Sequence, residues 1–441
     1  MNFDKLKKAA LKAGITDIEL YQSSTNGIEI SMFNGVVENN TSSATQVCAI
    51  RGVYQNQIVT VYEENCVDDA IPSIIERIKD NCSIKNQKDP FFIYPGDESY
   101  PKLTEKPCDL HKYTLEDKMN LCGNLDRLMR EKSSFVQMTE TSYSEEERTI
   151  KIVNSNGLNV ERHSKYAFLV AEAVCIKDGQ TKTGFDYIRV DQLKNANLDE
   201  LAEQAVYDAV STFGAESIPS GAYPVVLDKK VVSSLLGAYA NIYSADAVLK
   251  NMSFLKDKVG EQVFGENITL LDDPLSLDAP SQVAFDDEGV ATYTKTLVEK
   301  GVLKTYLHNL KTAAMMQVKS TGNGFKSGVS ANVGILPSNM YLQAGDTSLE
   351  DMFEDIENGV YITGITGLHA GLNPISGAFN LQSSGFRIEN GKKTTPVTLI
   401  ILSGTLQDVL NNVKYVGNDF EFKRGVGAPS LMIKSMAISG K

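Results

Sequence analysis

Two dipeptides constrain this chain more than anything else in it: Asn34-Gly35 and Asn156-Gly157. Ile28, Ile30 and Met32 alternate with polar residues before the first, a strand pattern. Asn-Gly then supplies two residues that accept positive φ, as a tight hairpin turn requires. Ile28-x-Ile30 precedes its turn by the same offset as Ile150-x-Ile152 precedes Asn156-Gly157. Each turn is followed by further strand patterns and then an amphipathic helix. A gene duplication leaves such an echo, but unrelated Asn-Gly hairpins also look alike. The sequence leaves both readings open.

The elements around the hairpins follow from periodicity. Phe3, Leu6, Ala10 and Ala13 define an opening helix that Gly14 ends. Strands are predicted over residues 17–62, then a helix with Ile71, Ile74, Ile75 and Ile78 on one face. Residues 83–109 hold four prolines and little periodicity, and read as a linker or an extended crossover. A second segment starts with a helix through Leu115, Met119, Cys122, Leu125 and Met129. It continues with strands to about Ile188 and closes on a helix through Leu201, Ala205 and Ala209. Pro219-Ser220-Gly221 marks the next boundary. A strand over 223–227 leads into a long helix through Val232, Leu236, Tyr239 and Tyr243. Strand signals dominate beyond it, with a hairpin turning at Lys300-Gly301. One helix is expected between a capping box at Thr347-x-x-Glu350 and a stop at Asn358-Gly359. The chain reads as α+β: an N-terminal α+β domain over 1–90, a central one over 105–215, and a β-rich domain over 220–441.

Charge and apolar runs exclude some functions. The net charge is -13, which repels a phosphate backbone, so no nucleic acid is expected as a partner. No run of about 18 apolar residues exists, so no membrane span is expected. The N-terminus has no apolar signal region, which makes a cytoplasmic protein the expectation. The six cysteines form no C-x-x-C pair and read as reduced, structural thiols.

Few residues offer chemistry. Asp286-Asp287-Glu288-Gly289 could meet a hard cation, but lacks the ligand spacing of a calcium loop and reads as a solvated turn. The stretch from Ser320 to Gly328 fails the phosphate-loop pattern and reads as a mobile surface loop. His369 sits in a glycine-rich loop with Asn373, and Ser383 follows downstream. These three are the candidates for a peptide-binding surface, since glycines permit close backbone approach. Ser384 is not set in G-x-S-x-G, so serine catalysis is not expected.

Several blocks, in order, resemble the TldD/PmbA family. They are Leu271-Asp272-Asp273-Pro274, Phe285 to Gly289, Gly301 to Leu307, Gly385 to Gly391, Val416 to Phe420 and Gly427 to Ser430. The family carries a description as modulators of DNA gyrase. The resemblance implies instead a cytosolic peptidase built from two related subunits, TldD and TldE (also called PmbA). The catalytic subunit bears H-E-x-x-x-H on a helix and a later cysteine, which hold zinc with the glutamate as base. Here that helix is the one after Leu227, and the motif falls on Gly237, Ala238 and Ile242. None of these can bind zinc or move a proton. No His lies between His163 and His308, and no Cys follows Cys175. Ser244-Ala245-Asp246-Ala247, with Ser253-Phe254-Leu255 and Gly260, resembles the TldE/PmbA branch.

The implied function is a non-catalytic subunit with no cofactor, no metal and no catalytic residue of its own. Its implied partners are a zinc-bearing TldD-like homologue and an unfolded peptide, with a homodimer through the C-terminal domain when alone. Strand addition to an edge of the β-rich domain would hold the peptide. Two rivals stand beside this reading. One is a stand-alone hydrolase using His308, His369 or the Asp286 cluster. The other is a regulatory binding protein for gyrase or a toxin–antitoxin partner.

Overall fold

The computed structural model describes residues 1–85, 90–423 and 425–441. Residues 86–89 of the crossover expected over 83–109 therefore lie outside the described residues. The first half repeats one order of elements. Helix α1 (Phe3–Lys12) precedes β1 (Asp17–Phe33), β2 (Val36–Tyr54), β3 (Gln57–Glu64) and α2 (Ile71–Ile84). Helix α3 (Leu115–Lys132) precedes β4 (Val136–Asn154), β5 (Asn159–Lys177), β6 (Gln180–Val190) and α4 (Leu198–Val210) in the same way. The two meanders join into one antiparallel sheet, ordered β3-β2-β1-β4-β5-β6. At the join Glu19 lies opposite Asn154 and Phe33 opposite Glu140, a pairing symmetric about Asn26 and Glu147. The echo in the sequence is thus a pseudo-twofold in space.

The turns form where Asn-Gly was read. Asn34 and Gly35 take φ of 50° and 75°, the left-handed pair that matches strand twist. The second turn is longer, because Asn154 Oδ1 accepts the amides of Asn156 and Leu158 and draws the loop over. All four helices cover one face of the sheet. α1 and α2 pack on Ile18, Leu20, Cys48 and Ile50, while α3 and α4 pack on Ile30, Tyr143, Leu169 and Ala171. Alternate residues therefore point to the other face. Cys48 and Cys66 are paired as a disulfide, with Cα atoms 5.8 Å apart, where six reduced thiols were expected. The β2–β3 hairpin returns the chain to place them together. Burial raises the Cys82 and Cys175 thiols and pushes Cys122 up to about 12.

The second half is β-rich. β7 (Gly221–Leu227) pairs in parallel with Gly359–Thr366 and antiparallel with Leu431–Ser439. Lys392–Thr405 and Ala378–Glu389 continue the sheet, and Ala378–Glu389 pairs back onto Gly359–Thr366. The ring is closed, so these five strands keep no open edge of the kind expected to take a peptide. Helix α5 (Lys229–Tyr239) buries Val232, Leu235 and Leu236 in the largest core, and the Tyr239 hydroxyl donates to the Gly377 and Ala378 carbonyls. It tightens to a 3-10 turn over Ala240–Tyr243, where one long helix was expected. The later helix, Leu349–Ile356, is capped by Ser348 through the Asp351 amide, one residue beyond the expected Thr347. A second sheet of short strands includes Leu270–Asp272, Met340–Leu342, Val426–Ala428 and Glu421–Lys423.

What joins the halves is a buried set of charges. Asp286, Asp287 and Glu288 are 0%, 5% and 6% exposed, not a solvated turn. Asp286 accepts the amides of Glu288, Val290 and Gly324. Asp287 accepts from the Tyr21 hydroxyl at 2.9 Å, Arg162 Nη2 at 2.6 Å and the Lys326 amide at 2.8 Å. Glu288 accepts the Leu310 amide, and beside the cluster Arg51 pairs with buried Glu19 at 2.7 Å. Tyr21, Arg51 and Arg162 come from the open face of the sheet, so the acidic turn docks the β-rich half there. The crossover fastens the same join: Tyr100 donates to the Gly289 carbonyl and Asp97 accepts the Ala291 amide. Thr321 to Gly324, expected as a mobile surface loop, is buried against this turn. A carboxylate out of water costs several kcal/mol unless paired, which is why Asp286 and Asp287 each take three donors.

Burial raises Asp286 and Glu288 above the usual carboxylate range, with their mutual repulsion adding to Asp286. Burial, with Arg51 nearby, pushes Lys326 down to about 8, its ammonium 4.3 Å from the Tyr21 ring centre. Two outcomes are expected. Arg162→Ala strands a buried carboxylate and lowers the free energy of unfolding by about 3–5 kcal/mol. Urea titration detects this, and a loss below about 1 kcal/mol contradicts it. Above about pH 8 the folded chain gives up the Lys326 proton while the unfolded chain still holds it, so this group makes stability rise until about pH 10.5. Lys326→Met lacks that gain. The difference between the two urea midpoints should move toward the unaltered chain between about pH 7 and about pH 10, and a constant difference contradicts the assignment.

Candidate functional site

The open face of the sheet is only partly covered by the β-rich half. The remainder forms a groove. Its larger compartment, about 570 Å³, lies between β5, β6 and the loops around Asp278 to Ser281 and Ser338-Asn339, with Phe422 at one side. Its smaller compartment, about 330 Å³, runs over Thr41, Ser43, Thr25, Gly27, Ser144 and Glu146. Tyr166 and Phe168 line both, so the two compartments adjoin at these rings.

Register explains the lining. On β5, Ala167, Leu169 and Ala171 face the helices, which sends Tyr166 and Phe168 to the open side. Opposite them on β6, Arg189 pairs with Phe168 and Tyr187 with Val170. The aromatic rings stack edge to face, 5.6 Å from Tyr166 to Phe168 and 6.0 Å on to Tyr187. The Arg189 guanidinium lies 4.7 Å from the Tyr166 ring centre and is held by Asp191. One wall is therefore aromatic with a cation over it, and the floor mixes small hydroxylated residues with the carboxylates of Glu29 and Glu146. Ser338 Oγ and Asn339 Oδ1, on the opposite wall, are buried without a hydrogen-bond partner among the described residues. Buried polar atoms are almost always paired, so these two stand out on this wall.

The residues singled out in the sequence fall elsewhere. His369 is exposed on its glycine-rich loop. A shallow depression of about 690 Å³ beside that loop includes Asn373, and it shares no lining residue with the groove. Asn373 is exposed, but its Oδ1 accepts the amides of Ile375 and Ser376, so its carbonyl is committed to its own turn. Ser383 is buried, and its hydroxyl donates to the Leu381 carbonyl rather than facing the depression. His308 is buried, 3.4 Å from the Thr312 hydroxyl, and burial lowers it to about 4. It stays neutral in ordinary buffers, away from His369. The groove residues carry no motif. Only the alternation through Tyr166, Phe168, Tyr187 and Arg189 could have signalled them.

The zinc positions implied by the resemblance do not fit a metal. Gly237 has no side chain, and a Cβ there would stand 3.5 Å from Val426. Ala238 is exposed, and Ile242 is buried in the main core. The donor set for zinc is missing, and among the described residues no three His, Cys, Asp or Glu side chains converge as a metal site. Helix α5 nevertheless packs against Val426–Ala428 and Glu421–Lys423, and Glu421 and Phe422 line the groove. The degenerate positions therefore sit on an element next to the groove. No helix among the described residues is long and apolar enough to cross a membrane.

Comparison with known proteins matches this arrangement along nearly the whole chain. Residues 18–82, 108–213 and 220–440 match the family models described as domain 1, the central domain and the C-terminal domain of the PmbA/TldA metallopeptidases. A metalloprotease of Methanocaldococcus jannaschii is 27% identical, over 96% of this chain and 94% of that one. A crystal structure from Thermotoga maritima, described as a candidate modulator of a DNA gyrase, is 30% identical. It covers 99% of both chains at a TM-score of 0.92. TldE from Thermococcus kodakarensis, 22% identical, shares the fold at a TM-score of 0.89 over 99% of this chain and 100% of that one.

Proposed function

The chain belongs to the PmbA/TldD metallopeptidase family, and on that premise we propose that it is a subunit without metal chemistry that holds an unfolded peptide for a zinc-bearing, TldD-like partner. The carrying observation is a contrast on one element. Helix α5 adjoins strands beside the groove, yet it and the 3-10 turn that continues it offer Gly237, Ala238 and Ile242 where a peptidase needs ligands and a base. The groove itself is furnished for an extended chain. Its aromatic wall takes apolar side chains, Arg189 offers positive charge and Glu146 negative charge. In this role the protein contributes positioning: an extended chain, fixed along the groove, presents its backbone to a reactive centre at lower entropic cost.

The test mixes this chain with a family member that carries H-E-x-x-x-H and follows cleavage of an unfolded peptide. The pair is expected to cleave at least about tenfold faster than the homologue alone, since aligned binding alone gives that much. Arg189→Ala or Phe168→Ala should remove most of the gain. A homologue that is fully active alone and indifferent to this chain contradicts the reading. So does cleavage by this chain alone.

A further inference from the structure

One long edge of the six-stranded sheet is open. β3 pairs with β2 only from Val47 onward, while β1 accompanies β2 from Val36. Residues 36–46 are all exposed, and no strand among the described residues pairs with the outer side of 36–45. The direction of the free groups follows from the neighbouring pairing. Gln46 turns its carbonyl outward to the Asn65 amide, at 2.9 Å. In an antiparallel strand the N–H and C=O of one residue point the same way and alternate along the chain. Ala44, Ser42 and Asn40 therefore present their backbone groups to the outside. Exposed edges are commonly blocked by lysine, proline or a bulge. From Asn39 to Thr45 this one carries only Asn, Thr, Ser and Ala.

The intervening residues face the groove. Thr41 and Ser43 line its smaller compartment, and Gly27 keeps that compartment hollow: a Cβ there would stand 2.9 Å from the Ser43 hydroxyl. A free edge and a groove thus share one strand. We propose that the outer edge of β2, from Asn40 to Thr45, takes an extended peptide as an added strand and directs its alternate side chains toward the groove. This rests on the groove being a peptide site. The contact is made by backbone to backbone, and the side chains flanking it are small and neutral, so the edge accepts peptides of varied sequence. Continuity with the groove favours a peptide over a second copy of this chain.

Hydrogen exchange on the full chain tests this without any substitution. The probe is a labelled, unstructured twelve-residue peptide (about twelve, enough to span the edge). Exchange in the segment 36–46 is expected to slow at least about tenfold when the peptide binds, as for newly bonded amides. Ser42→Pro with Ala44→Pro removes two outward donors but no bond to β1, a substitution edge strands tolerate. It should weaken peptide binding about tenfold and leave the melting temperature near that of the unaltered chain. If the peptide binds yet 36–46 stays unprotected, the edge proposal fails and the groove reading stands. If the peptide does not bind at all, both fail. If protection grows with chain concentration in the absence of peptide, a second copy occupies the edge and the proposal is overturned.

Discussion

Asp287 is the point on which the two halves of the molecule depend. Its carboxylate is buried and takes a phenol, a guanidinium and a backbone amide at once. The phenol and the guanidinium come from β1 and β5, and the amide from the loop after the acidic turn. No one of these bonds would justify burying the charge, and together they do so only in one relative placement of sheet and barrel. The Tyr100 hydroxyl on the Gly289 carbonyl and the aromatic contact of Tyr100 with Phe285 repeat the constraint beside it. One end of the open face is closed by this docking. The other end is left as the groove.

The pseudo-twofold gives that groove its character. Two meanders joined through β1 and β4 make a sheet whose helices all lie on one face, so the other face has to be covered or wet. Near Tyr21, Ile150 and Ile152 it is covered. Farther along, the same alternation delivers threonines and serines in one unit, and aromatic rings with Arg189 in the other. The two halves of this sheet have the same backbone plan but present different chemistry on their open faces.

The elements were legible in the sequence because their causes are local. The Asn34-Gly35 turn, the helix faces through Ile71 to Ile78 and Leu201 to Ala209, and the strand into α5 follow from turn chemistry and periodicity. The fate of Asp286-Asp287-Glu288 was not legible. Three adjacent carboxylates before a glycine look wet, and the Tyr21 and Arg162 side chains that cover Asp287 lie more than a hundred residues away. The loop at Thr321 to Gly324 was misread because its small polar residues are bonded by His308, Asp272 and Asp286, which no local pattern ties to it. The closed ring of strands was hidden too, since closure depends on Ala378–Glu389 finding Gly359–Thr366 as well as its hairpin partner. Among the site candidates, glycines drew attention to His369, whereas the groove is written as plain strand alternation. Family resemblance pointed to Gly237, Ala238 and Ile242, and the structure adds that the helix carrying the first two borders the groove.

The central claim is that this chain binds a peptide in its groove without using a metal and without cutting it. The most direct measurement is fluorescence anisotropy of a labelled unfolded peptide with the purified chain, with and without a chelator, followed by mass analysis of the peptide. One peptide per chain, affinity indifferent to the chelator, and the peptide recovered intact are the expected results. Binding that the chelator abolishes, or a peptide recovered in fragments, would contradict the claim.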